Sequence, residues 1–164
     1  MTSYTAPLCQ RALAKELEQL FEGRRFCGQQ SKKPLKVFLQ DLPIPADDDA
    51  DADTDAAVAP CLVLRMAQGE IADMVSPEEV VFSITVCAFD EGREREGFFD
   101  VLNIIEAIKQ RFGSAPYFGG AYTVLPQMSW AMQQDDTHPY YYGAMALVCT
   151  VPVMTGESAL KELI

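Results

Sequence analysis

Histidine, tryptophan and basic side chains are scarce in this sequence, and each scarcity argues against a class of function. The 164 residues include one histidine, His138, and one tryptophan, Trp130. His138 stands beside Pro139 in a turn-like stretch, where an imidazole is ordinarily solvated or locally hydrogen-bonded rather than a catalytic base. Walker-type loops, GxGxxG, GxSxG and HExxH patterns do not occur. No run approaches the roughly 20 apolar residues that a membrane helix needs. Lys and Arg number 13 against 24 Asp and Glu, a net charge of −11. That balance disfavours a nucleic-acid backbone as partner, because such a partner rewards cations. CxxC pairs are missing as well. The five cysteines, Cys9, Cys27, Cys61, Cys87 and Cys149, read as thiols in a reducing compartment rather than as a disulfide framework or a zinc site. These absences lead to an expectation of no enzyme activity, no cofactor and no metal. The N-terminus, MTSYTAPLCQRALAKELEQL, lacks the charged head and apolar core of a secretory signal, so a cytoplasmic location is expected.

What is present is ordinary globular composition, 49% hydrophobic and 23% charged, at a length that suits one domain over residues 1–164. Leu13, Leu17, Leu20 and Phe21 share the face of an amphipathic helix over residues 8–22, with Thr5 and Pro7 suited to its start and Gly23 to its end. A basic connector, GRRFCGQQSKKP, leads to a short strand over Leu35–Leu39. CLVLRMA (61–67) and VVFSITVCAF (80–89) read as further strands, and Ser76–Glu79 between them as a turn. In the latter strand Phe82, Ile84, Val86 and Ala88 alternate with Ser83, Thr85 and Cys87, the pattern of a sheet covered on one side. Phe98, Val101, Leu102, Ile105, Ile108 and Phe112 predict a second helix stopped by Gly113. Two strand pieces, Tyr122–Leu125 and Gln127–Gln133, flank Pro126, and Tyr140–Val153 is a long final strand. The tail GESALKELI reads as a short helix or an ordered extension. The expected fold class is α+β: two helices packed on one face of a mainly antiparallel five- to six-stranded sheet.

Six aspartates, Asp47, Asp48, Asp49, Asp51, Asp53 and Asp55, supply more than half of the net charge. They lie in the proline-bounded segment 43–60, whose self-repelling carboxylates have little to bury, so a mobile acidic loop at a long hairpin tip is expected. The D-x-D-x-D pattern does not make a calcium loop. With Asp49 in first position, Thr54 falls where glycine belongs and Pro60 where the bidentate glutamate belongs.

Arg93 and Arg95, interleaved with Glu91, Glu94 and Glu96, read either as a solvated charge run at the helix entrance or as a rim of intersubunit ion pairs. Successive strand residues face opposite ways, so Tyr140, Tyr141 and Tyr142 are not all core: Tyr141 or its two neighbours project outward. Surface aromatics and methionines are interface material. The candidate subunit interface is therefore Met128, Trp130, Met132 and Tyr141 on the sheet face away from the helices, with Arg93 and Arg95 as its rim.

The succession of VVFSITVCAFD, a charged gap, GFFDVLNIIEAIKQRF, the tryptophan strand at MSW and DDTHPYYYGAMALVCTVPV resembles the tail terminator, or tail completion, proteins of long-tailed bacteriophages. The resemblance covers roughly residues 61–153. It rests on Gly97, Asp100 and Val101 at the helix start and on Asp136, Pro139 and Tyr140 before the last strand. It implies a non-enzymatic α+β subunit that forms a ring, often hexameric, at the head-proximal end of the tail tube. Its partners would be copies of itself, the major tail tube protein and a head–tail connector protein, in the cytoplasm of a bacterial host and then in the virion tail. The acidic segment has no counterpart in that pattern. Other readings are a different neck, connector or minor capsid protein, and a cytosolic ligand-binding or regulatory module.

Replacing residues 46–57 by a short Gly/Ser linker is expected to leave the melting temperature within a few degrees, because loop length adds closure entropy only slowly. Calorimetry on the two proteins makes the comparison, and loss of the folding transition would mean that the segment packs.

Overall fold

Thr5 opens the first helix, α1 (Ala6–Leu20), with an extended backbone and a hydroxyl that accepts the Leu8 N–H at 3.2 Å. That cap, followed by Pro7 in the first turn, starts the helix two residues ahead of the expected position. The computed structural model describes residues 4–26, 33–44 and 59–153. Along the chain follow β1 (Arg25–Phe26), β2 (Lys33–Pro34), β3 (Lys36–Leu39), β4 (Cys61–Glu70), β5 (Glu78–Phe89), α2 (Gly97–Ser114), β6 (Tyr117–Phe118), β7 (Tyr122–Met132) and β8 (Tyr140–Val151). The architecture is α+β. The basic connector forms the β1–β2 ladder, Arg25 opposite Pro34 and Phe26 opposite Lys33.

The other six strands make one sheet in the order β3-β4-β5-β8-β7-β6. It is mixed, which corrects the expectation of a mainly antiparallel sheet. β3 runs parallel to β4, with Lys36 opposite Cys61 and Leu39 opposite Leu64. Parallel neighbours need a long crossover and cannot be joined by a hairpin. β3 and β4 are therefore not the two arms of one hairpin; residues 45–58, on which the expected mobile acidic loop falls, lie outside the described residues, as does the tail after Val153.

β3 ends at a polar latch. Gln40 takes φ 67 and its amide oxygen accepts the Met66 N–H at 2.7 Å and the Gln10 side-chain amide at 2.6 Å. Gln10, buried on α1, also donates to the Leu64 carbonyl at 3.0 Å. The latch ties α1 to the β3 edge.

β5 and β8 pair without a shift from Glu78 opposite Val151 to Phe89 opposite Tyr140. On one face Val80, Phe82, Ile84, Val86 and Ala88 join Met145, Leu147 and Cys149 in the main core. Leu13 and Leu17 of α1, and Val101, Ile104, Ile105, Ile108 and Phe112 of α2, belong to the same cluster. Gly143 lets α2 lie close on β8, since a Cβ there would stand 2.6 Å from Val101 Cγ1. Arg111 and Glu16, 3.1 Å apart, connect the two helices. On the opposite face a smaller cluster holds Ala59, Cys61 and Cys87 with Phe38, Leu42, Phe89, Tyr140 and Tyr142.

Several expected details shift. In α2, Ile104 is buried, whereas Phe98 is exposed and Leu102 half-buried, and Gly113 lies within the helix. β7 is one strand across Pro126, with a register irregularity between Val124 and Met128. Proline lacks the ladder donor and is accommodated at such an irregularity near a sheet edge. The expected turn over Ser76–Glu79 lies earlier, because Glu78 and Glu79 already belong to β5. No described helix is long and apolar enough to cross a membrane.

Ile105, 1% exposed in the centre of the α2 stripe, gives the direct test of this core. Ile105→Ala is expected to cost about 2–5 kcal/mol in urea unfolding, and a loss below about 0.5 kcal/mol would contradict its burial.

Candidate functional site

Where β8 begins, the chain folds a charged, aromatic knot against the start of α2. Arg95 adopts φ 54, a left-handed conformation unusual for arginine. Its guanidinium donates to the Asp136 carboxylate. Asp136 Oδ1 also accepts the His138 backbone N–H at 3.2 Å. His138 Nδ1 lies 3.0 Å from the Tyr141 hydroxyl, which closes the knot. The Tyr141 ring lies close against Gly97, where a Cβ would approach it to 2.2 Å. Glycine is thus required there for close approach, not for an unusual backbone angle.

The charges respond to this geometry. The Tyr141 contact first, and the Asp136 pair second, push the Arg95 guanidinium further up. The His138 N–H, then Arg95, hold the Asp136 carboxyl below its ordinary range. Both ion-pair partners are more than half exposed, so the pair orients side chains more than it stabilises the fold.

Beside the knot lies a cleft of about 310 Å³, lined by Arg95, Phe98, Met132, Asp136, Tyr140 and Tyr141 among others. The Tyr140 hydroxyl is buried and has no hydrogen-bond partner among the described residues. Phe98 and Phe99, with ring centroids 4.1 Å apart, extend an exposed aromatic surface from the same helix start. Among the described residues, no three of His, Cys, Asp and Glu cluster as metal ligands. A guanidinium neutralised by a carboxylate, phenols, amides and a thioether offer the chemistry of docking.

The candidate interface residues separate into three places. Arg95, Met132 and Tyr141 meet at the cleft. Arg93 is exposed and makes no ion pair with a described residue. Met128, Trp130 and Met132 do not lie on the face away from the helices. They stand opposite Leu147, Met145 and Gly143, on the core side, and Met128 and Met132 pack against the main core. Directly opposed residues of an antiparallel pair share a face, so the burial of Met145 and Leu147 decides the matter. Tyr141, opposite the buried Ala88, is on that side too, and it is Tyr140 and Tyr142 that project from the other. Trp130 remains accessible, 48% exposed, with Lys109 Nζ 5.7 Å from its ring centre.

Two surfaces escaped the sequence reading. The outer side of β7 is one: β6 pairs only with Tyr122 and Thr123, and among the described residues no strand flanks Leu125–Met132. The β4–β5 connection is the other. It holds out Ile71, Met74 and Val75 at 63%, 83% and 72% exposure. Asp73 fixes that turn, accepting the N–H groups of Val75 (2.9 Å) and Ser76 (2.6 Å) and the Ser76 hydroxyl (2.9 Å). An aspartate three residues ahead of a serine was the available signal for it. No protein-family model matches the chain, and no curated protein matches it either.

Asp136→Asn is expected to lower the melting temperature slightly at neutral pH. The folded-state pKa of Asp136 lies below its unfolded value, so its contribution is complete above the ordinary carboxylate range and drains away as pH falls through the lowered pKa. Melting curves of the two proteins should therefore converge in acid; a gap that persists there would assign the loss to packing. Gly97→Ala should destabilise by about 1–3 kcal/mol through overpacking against Tyr141, and a companion Tyr141→Ala should remove most of that cost in a double-mutant cycle.

Proposed function

We propose that this chain is a non-enzymatic assembly subunit, a tail terminator of a long-tailed bacteriophage or prophage that caps the tail tube as a ring and readies it for head joining. Both helices are taken to cover one face of the sheet, with association carried by the sheet's edges, connections and opposite face. The observation that carries the reading is the outer side of β7: a ladder edge that no strand flanks among the described residues, accessible at Trp130, within residues 112–134, none of which is charged. Two copies of a chain with net charge −11 repel one another, and this edge is where that repulsion is least. An open edge is otherwise a liability that proteins blunt with charge or cover.

A ring needs heterologous contacts, in which two different patches of one subunit meet. The β7 edge and the Ile71–Val75 connection are two such patches, and they supersede the outer sheet face as the candidates. The knot around Arg95 closes on itself, which leaves the exposed Arg93 as the rim charge open to a neighbour. The cleft beside the knot supports a second reading, a ligand-binding regulatory module, since its volume is at the lower end of small-ligand sites, roughly 300–1,000 Å³.

Analytical ultracentrifugation at high protein concentration, alone and with isolated tail tubes, tests the proposal. Association is expected, and Ser129→Lys with Ala131→Lys should weaken it at an unchanged melting temperature. Arg93→Glu should weaken it less. A protein that stays monomeric and caps no tube under any of these conditions would leave the regulatory module as the better reading.

A further inference from the structure

The cleft between the start of α2 and the β7–β8 connection has charges that do not cancel. Its lining carries one basic side chain, Arg95, and two acidic ones, Asp135 and Asp136, beside Phe98, Met132 and Tyr141. Asp136 is paired with the Arg95 guanidinium, so those two charges offset one another. Asp135 has no ion-pair partner among the described residues. Residues 90–96, which include Arg95, hold four acids and two arginines, and residues 91–96 are exposed. The potential over the cleft is therefore negative, in a chain whose net charge is −11. An anion entering it is repelled, and the one cation of the lining is already engaged. A metal ion is poorly served as well. Hard cations take about six oxygen ligands, and among the described residues no three of His, Cys, Asp and Glu cluster. Aromatic rings, by contrast, attract a weakly hydrated cation to their faces.

We propose that this cleft binds a small organic cation, a protonated amine or amidine carried on an apolar body, with Asp135 as its counter-ion. Phe98, 38% exposed at the helix start, and the half-buried Met132 offer apolar surface to the body of the ligand. Asp136 stays with Arg95, so the bound cation draws on Asp135 alone. A volume of about 310 Å³ sets the ligand at the small end of the range for such sites. Discrimination follows from the same groups. A neutral analogue keeps the apolar contact and loses the ion pair, and an anionic one meets the negative potential. The inference gives the regulatory-module reading a ligand class and rests on that reading; ring assembly neither requires nor excludes it.

The experiment titrates the full chain, labelled with nitrogen-15, with benzylammonium, benzyl alcohol and benzoate, which share a ring and differ in charge. Saturable amide shifts at Arg95, Phe98, Tyr141 and the residues between Met132 and Thr137 are expected from benzylammonium. Benzyl alcohol should bind about fivefold more weakly, the scale of an exposed ion pair, and benzoate should not bind. Added salt should weaken the amine and leave the alcohol unchanged. Asp135→Asn, at an exposed position, should bring the amine down to the affinity of the alcohol at an unchanged melting temperature. Phe98→Ala should weaken both. Cleft binding of benzyl alcohol or benzoate as tight as that of benzylammonium, or an amine affinity indifferent to Asp135→Asn, would overturn the cation assignment and leave the regulatory module standing. Shifts away from the cleft, or none with any of the three probes, would overturn both.

Discussion

The pairing of β5 with β8 is the constraint on which the rest of the structure depends. It is the longest ladder in the sheet and runs without a shift. Side chains alternate with a period of two, so one fixed register assigns every residue on both strands to a face. Phe82, Ile84 and Val86 then commit Leu147, Met145 and Gly143 to the main-core side, and β8 in turn commits Met128, Trp130 and Met132 of β7. A slip of β8 by one residue would set Tyr142, Ala144 and Ala146 beside Phe82, Ile84 and Val86 on the main-core face, in place of Met145 and Leu147.

Glycine converts that register into contact. At Gly143 the missing side chain makes room for Val101 and Ile105 of α2, and at Gly97 for the ring of Tyr141. The two glycines lie on facing elements near the same corner of the sheet, so the start of α2 settles closely over β8 there. The Arg95 knot follows from this. With Tyr141 close against the helix start, its hydroxyl reaches His138, and Asp136, on the chain that leads into β8, pairs with Arg95. Packing positions the ring, and the exposed charges arrange themselves around it.

Much of this was legible in the sequence where one pattern dominates locally. The alternation from Val80 to Phe89 and the stripe from Val101 to Phe112 were readable because each is a periodic run covered on one face. The parallel placement of β3 was not readable, since a four-residue strand carries no mark of direction and its partner is chosen by α1 through Gln10 and Gln40. The facing of Trp130 was misjudged for a similar reason. In MSWAM, apolar side chains alternate with small ones, and a half-exposed edge strand does not advertise which of its faces meets the helices. Only the partner strand settles it. The knot was partly visible, as Arg95 and Tyr141, but their meeting with Asp136 depends on close packing at Gly97 that no local pattern announces.

The sheet treats its two edges differently. On one side β3 is short, begins with the exposed Lys36, and is closed by the Gln40 latch and by Arg65 reaching to Asp41. Such devices discourage a further strand. On the other side β6 stops after two residues and leaves most of β7 uncovered among the described residues, with no charge from Phe112 to Gln134. Pro126 is the one blunting residue there, and it precedes the stretch that carries Trp130. Elsewhere the chain's abundant carboxylates keep copies apart. A second acidic chain meets less like-charge repulsion along this edge, which no strand flanks among the described residues.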